Sequence, residues 1–399
     1  MIRVLHVTED HSARNTGISS AVDALTRCVP AGIEPAIACV GTEVLPVRAG
    51  LRLHILPTSG LAETWRWAPG CAARLDEAIA QADLVQLHGV WMWAQWAAAR
   101  QALRQKKPFV LTAHGMLQPW MWRRQSLPHR LKKVLYWRAL AFPAFRHAAA
   151  FHALTEQEAG MLAGFFPGKS PLLIPHGIDL VTADRTLAEL PPATATEAPY
   201  LLFLGRLHPG KGIHLLLRAF ARLPGKTLRL KLAGPTQERE AAYAASLPRL
   251  ADELGLAGRV DFCGAVVGAE KWRLYRDAWA FCLPSFSEVI GLVNLEAAAA
   301  RTPVITTFES GLNAEWERRG GLLIHPEEEA LLVGLRQALD WTQAERDGRG
   351  RGLRALVETH YSWAQVGAAW AGAYQDLLER AASHRRAGMG ADAHPDLRA

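Results

Sequence analysis

The stretch YLLFLGRLHPGKGIHLLLRAF, Tyr200 to Phe220, decides the fold. An unbroken apolar run predicts a buried strand, a Gly/Pro turn follows, and IHLLLRAF carries helical periodicity. The turn GRLHPGKG nearly spells a P-loop: Gly205, four residues, Gly210 and Lys211, then Gly212 where a nucleotide triphosphatase needs Ser or Thr. In a P-loop that hydroxyl ligates magnesium, which Gly212 cannot do. What remains is Arg206 and Lys211 flanking a turn that opens a helix. Backbone N–H groups at a helix start favour an anion, and an Arg fork with a Lys point charge can neutralise phosphate as a divalent metal does elsewhere. The plain alternative is a strand-to-helix turn with two surface cations. Position favours the phosphate reading, because ligands of open parallel sheets bind at the carboxyl ends of strands.

The same strand-then-helix rhythm runs along most of the 399 residues. MIRVLHV, EPAIACV, LRLHIL, ADLVQLHG, PFVLTAHG, AAFHALT and SPLLIPHG read as strands of a first half. APYLLFLG, LRLKLAG, RVDFCGA, AFCLPS, TPVITT and GLLIHP read as strands of a second. Continuous apolar strands alternating with helices predict parallel sheets covered on both faces, hence an α/β chain of two doubly wound domains. The expected boundaries are an N-terminal domain over 1–180, a polar linker over 181–199, a C-terminal domain over 200–360, a closing helix over 361–382 and a frayed tail over 383–399. The start MIRVLHVTED reads as a strand, so no signal peptide is expected, and no run of about 18 apolar residues exists to span a bilayer. Cys28, Cys39, Cys71, Cys263 and Cys282 are scattered without metal spacing, which suits a reducing compartment and a cytoplasmic location.

A net charge of +7 points to an anionic partner. Between Pro119 and His147 lie Arg123, Arg124, Arg130, Lys132, Lys133, Arg138 and Arg146 with no acid, interleaved with Trp120, Trp122, Tyr136 and Trp137. Such a mixture suits an anionic membrane surface at the inner face of the cell membrane, or a solvated helix whose aromatics pack on the domain. No motif accompanies it that would point to nucleic acid. In FCLPSFSEVIGLVNLEAAAARTPVITT, Glu288 and Glu296 are eight residues apart, which predicts one carboxylate on a loop and one on the following helix.

With both motifs in this order, 82 residues apart (288 minus 206), the chain resembles a retaining glycosyltransferase of family four with the GT-B architecture. That resemblance implies two Rossmann-like domains facing a central cleft, with a C-terminal helix crossing back to the N-terminal domain. GRLHPGKG resembles the donor-diphosphate loop, making Arg206 and Lys211 the diphosphate clamp. SEVIGLVNLE resembles the E-x7-E signature, with Glu288 at the donor sugar, Glu296 at the ribose, and Gly291 and Leu292 in the backbone cradle between them. IPHGID, LAGP at 232–235 and YSWAQVGAAWAGAY at 361–374 are similar to further family segments. TAHGML resembles a subgroup of polysaccharide and cell-surface glycan assembly, which implies that His114 donates a hydrogen bond near the transferred sugar. NTGISS keeps one glycine, Gly17, where the family has a pair, and Val289-Ile290-Gly291 replaces Gly-Phe-Gly. His88 in LHGVW reads as structural, and Thr155 and Glu158 as a helix start without chemistry.

The implied reaction moves a hexose from a nucleotide-diphosphate sugar to an acceptor by same-face attack, with no metal ion and no cofactor. The expected acceptor is a lipid-linked glycan intermediate. A soluble synthase acting on a small sugar or sugar phosphate is the alternative, and a catalytically silent nucleotide-sugar-binding protein a further one. An ATP-hydrolysing P-loop enzyme is disfavoured by Gly212 and by the absence of any D-x-D pair.

Overall fold

The computed structural model describes residues 1–9, 11, 16–41, 50–57, 69–118, 127–192, 198–225 and 227–391. Two compact units divide the chain: residues 1–175 with 364–399, and residues 176–363.

The first unit is built on a parallel sheet of β1 (Ile2–Thr8), β2 (Ile33–Val40), β3 (Arg52–Leu56), β4 (Leu84–His88), β5 (Phe109–Thr112), β6 (Ala150–Ala153) and β7 (Leu172–Leu173), in the order β3-β2-β1-β4-β5-β6-β7. The second holds β8 (Tyr200–Leu204), β9 (Arg229–Ala233), β10 (Val260–Gly264), β11 (Ala280–Leu283), β12 (Val304–Thr307) and β13 (Leu322–Ile324), in the order β10-β9-β8-β11-β12-β13. Each expected strand is present. Every residue of β4, β5, β6, β8, β11 and β12 is buried, as strands covered on both faces require, whereas the edge strands β3 and β10 are mostly half-exposed. In both sheets the order reverses beside the first strand, at β1/β4 and at β8/β11. Those are the switch points where a doubly wound sheet opens a crevice.

The boundaries differ from those expected. The segment expected as a linker contains the helix Leu180–Glu189, part of the second unit. Asp179 caps it by accepting the Thr182 N–H at 2.9 Å. The buried Arg354 guanidinium grips its Asp184 through two bonds of 2.7 Å. The last helix runs Trp363–Ala391, through much of the expected tail. From Ala364 onward it belongs to the first unit, where Tyr374 donates to Gln86 Oε1 at 2.5 Å and Trp370 meets the His152 ring edge-on at 4.5 Å. The chain enters and leaves the second unit side by side: Ile178 N–H donates to the Tyr361 carbonyl at 2.7 Å. Gly177 is required there, since a Cβ would lie 2.4 Å from the Trp363 ring.

Among the described residues no helix is long and apolar enough to cross a membrane. Of the basic segment, the described residues form the helix Leu127–Tyr136, a π turn at Trp137–Ala141 and the short helix Phe142–Phe145. Of the two readings of its aromatics, the structure agrees with packing on the domain for Tyr136 and Trp137, which are buried in the core of the first unit. Tyr136 donates to the Val90 carbonyl at 3.2 Å, and Trp137 meets Phe142, Phe145, Phe165 and Phe166. Leu127, Leu131 and Leu135 take the outer face, 76%, 69% and 66% exposed. Trp120, Trp122, Arg123 and Arg124 lie outside the described residues.

Candidate active site

In the second unit, the loops that follow β8 and β11 meet at the switch point. Gly205 N–H closes on the Ala233 carbonyl at 3.0 Å. The LAGP turn after β9 comes so near that a Cβ on Gly234, at φ +145°, would sit 1.8 Å from the Gly205 oxygen. A 3-10 turn, Pro209–Lys211, follows, with His208 Nδ1 accepting the Gly210 N–H at 2.9 Å. Gly212, at φ +69°, then turns the backbone left-handed to start the helix Ile213–Ala221. A Cβ there would be 2.0 Å from the Pro284 carbonyl oxygen, and Phe286 N–H donates to the Gly210 carbonyl at 2.9 Å. The glycine that removes the magnesium ligand is thus the one that lets the two loops touch.

This contact brings Lys211 and Glu288 together. The Lys211 ammonium pairs with Glu288 Oε1, which also accepts from Ser285 Oγ at 2.7 Å, while Glu288 N–H donates to the Glu309 carbonyl at 2.8 Å. Both side chains are mostly buried, 18% and 13% exposed. Arg206, half-buried, donates from Nη1 to Gln237 Oε1 at 3.4 Å. Glu296 stands apart, on the helix Leu292–Ala299, as its spacing from Glu288 predicts. Its Oε1 takes the Lys271 ammonium at 2.8 Å and its Oε2 the Tyr275 hydroxyl at 3.0 Å. Burial, and then the Glu296 charge, push the Tyr275 phenol up, so it stays a donor. A carboxylate has about four acceptor sites, so Glu296 keeps capacity for a ligand hydroxyl. Gly291 caps the same helix, a Cβ on it would lie 2.6 Å from Asn294 Nδ2, and Leu292 is partly exposed at its first turn. Gln237, Lys271 and Tyr275 were not legible as partners, because each reaches Arg206 or Glu296 from another segment of the chain; Ser285 lies only three residues before Glu288 but carries no motif of its own.

In the first unit, Gly17 lies exposed in the first turn of the helix Thr16–Cys28, with open space where a Cβ would point. His114 follows β5 with a left-handed backbone, φ +50°. Its Nε2 is 3.0 Å from His88 Nδ1, and His88 Nε2 is 3.0 Å from His6 Nδ1. Gly115 N–H donates to the buried Glu158 Oε1 at 2.6 Å. Thr155 caps the helix Glu156–Phe165 as the sequence indicates, but Glu158 does more than begin it. Burial pushes its carboxyl pKa up, against the pull of its bonds from Leu154 and Gly115 N–H.

Among the described residues no group of three or more His, Cys, Asp or Glu is placed to hold a metal ion. The phosphate-facing candidates are Arg206, Lys211 and the start of Ile213–Ala221.

Two family descriptions together match most of the chain: Glycosyltransferase Family 4 over residues 17–182 and Glycosyl transferases group 1 over residues 189–347. The chain belongs to the family-four glycosyltransferases. A D-inositol 3-phosphate glycosyltransferase of Nocardia farcinica is 32% identical over 244 residues, 57% of this chain and 51% of that one. One from Mycolicibacterium smegmatis is 36% identical over 163 residues, 40% of this chain and 37% of that one. The matches therefore span about half or less of these curated relatives. Among solved structures, a sucrose-phosphate synthase from Thermosynechococcus elongatus superposes with a TM-score of 0.70 over 95% of this chain and 100% of that one, at 22% identity. Anabaena HepE, in complex with UDP and glucose, gives 0.72 over 94% and 100%, at 16% identity. These likenesses show that this family-four chain has the GT-B fold.

Proposed function

We propose that the protein transfers a sugar from a nucleoside-diphosphate sugar to a small phosphorylated sugar or polyol, with retention of configuration and without a metal ion. The observation that carries this reading is the Lys211–Glu288 pair, held at the β8/β11 switch point by loops that Gly212 brings into contact. A diphosphate arriving there draws Lys211, Arg206 and the N–H groups of the Ile213–Ala221 helix onto the leaving group. Stabilising charge that grows only in the transition state is what lowers a barrier, by roughly 3 kcal/mol per contact. Glu288, held by Ser285, orients the sugar, and Glu296 takes a ribose hydroxyl. His114 donates to the sugar. The leaving phosphate accepts the acceptor's proton as the new bond forms on the same face. Metal independence is supported by Gly212, which has no hydroxyl for magnesium, and by the absence of a D-x-D pair.

The phosphorylated acceptor is supported by the family members at 32% and 36% identity, whose names specify inositol 3-phosphate. A second reading, a lipid-linked glycan acceptor at an anionic membrane, is favoured by the exposed Leu127, Leu131 and Leu135 flanked by Arg130 and Lys132. Both are tested together. Purified protein is first melted with UDP, GDP, ADP and dTDP in EDTA; a nucleotide at about 100 Kd stabilises by roughly 2.7 kcal/mol. The responding donor is then offered inositol phosphate, hexose phosphates, and lipid-linked sugars on anionic vesicles. Transfer to a soluble phosphate supports the first reading. Transfer only on vesicles, lost in Leu131→Glu, supports the second. A nucleotide shift that appears only with magnesium refutes metal independence.

A further inference from the structure

The three histidines of the first unit come from three separate segments. His6 lies in β1, His88 ends β4, and His114 follows β5. Their rings form one chain, centroids 5.3 Å apart at each step, with a 3.0 Å nitrogen-to-nitrogen contact at each. His6 is fully buried and His88 nearly so, at 2% exposed. At the inner end, His6 Nε2 has no hydrogen-bond partner among the described residues.

Three neutral imidazoles carry three N–H protons. Burial drives the His6 pKa down to about 3, so that ring is neutral. Each of the two contacts needs one proton between its nitrogens. The third proton must sit at an end of the chain, on His6 Nε2 or on His114 Nδ1. On His6 Nε2 it would be a buried donor with nothing to accept it, a rarer and costlier condition than a buried acceptor left unmatched. The backbone is held as firmly as the rings. His114 sits at φ +50°, strained for a residue with a Cβ. The next N–H, of Gly115, is tied to Glu158 Oε1, whose other oxygen accepts the Leu154 N–H at 2.9 Å.

We infer that His6, His88 and Glu158 are positioning residues that fix His114 with its proton on Nδ1, so that His114 serves as a hydrogen-bond donor through that atom and not as a base. Donation therefore runs one way: His6 Nδ1–H to His88 Nε2, then His88 Nδ1–H to His114 Nε2. For His114 to accept a proton at Nδ1 as a neutral ring, every proton in the chain would have to shift inward and the last would strand on His6. The inference rests on the reading of His114 as the group that meets the sugar, but its test does not.

The test is long-range proton–nitrogen NMR of the intact protein, with histidine labelled at both ring nitrogens, at neutral pH. It reads the tautomer of His114 whether or not any sugar is transferred. The expected result is a neutral His114 protonated at Nδ1. In His88→Phe the inner partner is gone, and His114 is expected to revert to the Nε2–H form usual for an untethered imidazole, with kcat about tenfold lower. His6→Asn keeps an N–H near the place of Nδ1 and should keep the wild-type tautomer, so it tests the chain even if His88→Phe does not fold. A wild-type His114 protonated at Nε2 or on both nitrogens overturns the inference. So does a His88→Phe protein, shown to be folded by its nucleotide response, in which the His114 tautomer is unchanged.

Discussion

Replacing Gly212 with alanine tests the loop contact on which the second unit's site is built. The cost has two parts. A left-handed backbone costs an L-residue about 1–2 kcal/mol, and Gly212 has φ +69°. The new Cβ would also lie 2.0 Å from the Pro284 oxygen, where ordinary contact begins near 3.4 Å. The carbonyl must therefore retreat by about 1.4 Å (3.4 minus 2.0), a misfit worth roughly 1–3 kcal/mol. The sum, about 2–5 kcal/mol, lowers Tm by roughly 5–15 °C for a unit of this size. Gly225→Ala is the matched control. It has φ +82° but nothing within 4 Å of its Cβ, so it suffers the strain without the collision. Retreat of Pro284 also drags Ser285 and Glu288, and a misplacement of about 1 Å can cost 100-fold in rate. The assay is thermal unfolding of both variants followed by calorimetric nucleotide titration. A Gly212→Ala protein that melts with Gly225→Ala and binds nucleotide like wild type would refute the argument that this glycine joins the loops.

Three further outcomes are expected. Glu288→Gln keeps a partner for Ser285 but loses the charge facing Lys211, so nucleotide affinity by calorimetry should hold or rise while kcat falls about 100-fold; equal losses in both would contradict the assigned roles. Arg354→Met removes the grip on Asp184, Glu358 and the Ala299 carbonyl, and because Asp184 is half-exposed the cost should be only about 2 kcal/mol, read as a lower Tm with faster hydrogen exchange in Leu180–Glu189. His6 is held neutral with a pKa near 3, against about 6.5 unfolded. The unfolded chain therefore binds the extra proton, so stability is full above pH 6.5 and falls by up to about 1.4 kcal/mol per pH unit toward pH 3. Urea midpoints across that range should show a shallower fall in His6→Asn.

The strands were legible because a parallel sheet buried on both faces leaves unbroken apolar runs that no surface helix imitates. Arg206, Lys211, Glu288 and Glu296 could be named as candidates from the sequence because each lies in a short motif, whereas the pairing of Lys211 with Glu288 is seen only in the structure. What escaped the sequence depended on distant partners. Leu180–Glu189 is polar enough to read as a linker, and it is held by Arg354, which is 170 residues away. His6 looked like one more strand residue until β4 brought His88 beside it. Glu158 read as a helix start because nothing local shows that Gly115, 43 residues earlier, donates to it. In the basic segment the sequence left two readings open, and the burial of Tyr136 and Trp137 agrees with aromatics that pack on the domain. Leu127, Leu131 and Leu135 recur every four residues and share the exposed face of their helix, while Tyr136 and Trp137, at its end, turn into the core.

The return of Ala364–Ala391 to the first unit bears on how the chain comes off the ribosome. Residues 176–363 form an uninterrupted run and can close their sheet as soon as they emerge. The first unit has all seven strands by Leu173 but lacks the helix that packs on them. Its buried Gln86 waits for Tyr374, made 288 residues later, and through Gln86 Nε2 to Thr112 and on to His152 a polar line inside the sheet stays open until then. The half of the protein that is made first is completed last, so a chain cut short at residue 363 releases a finished second unit tethered to an unfinished first.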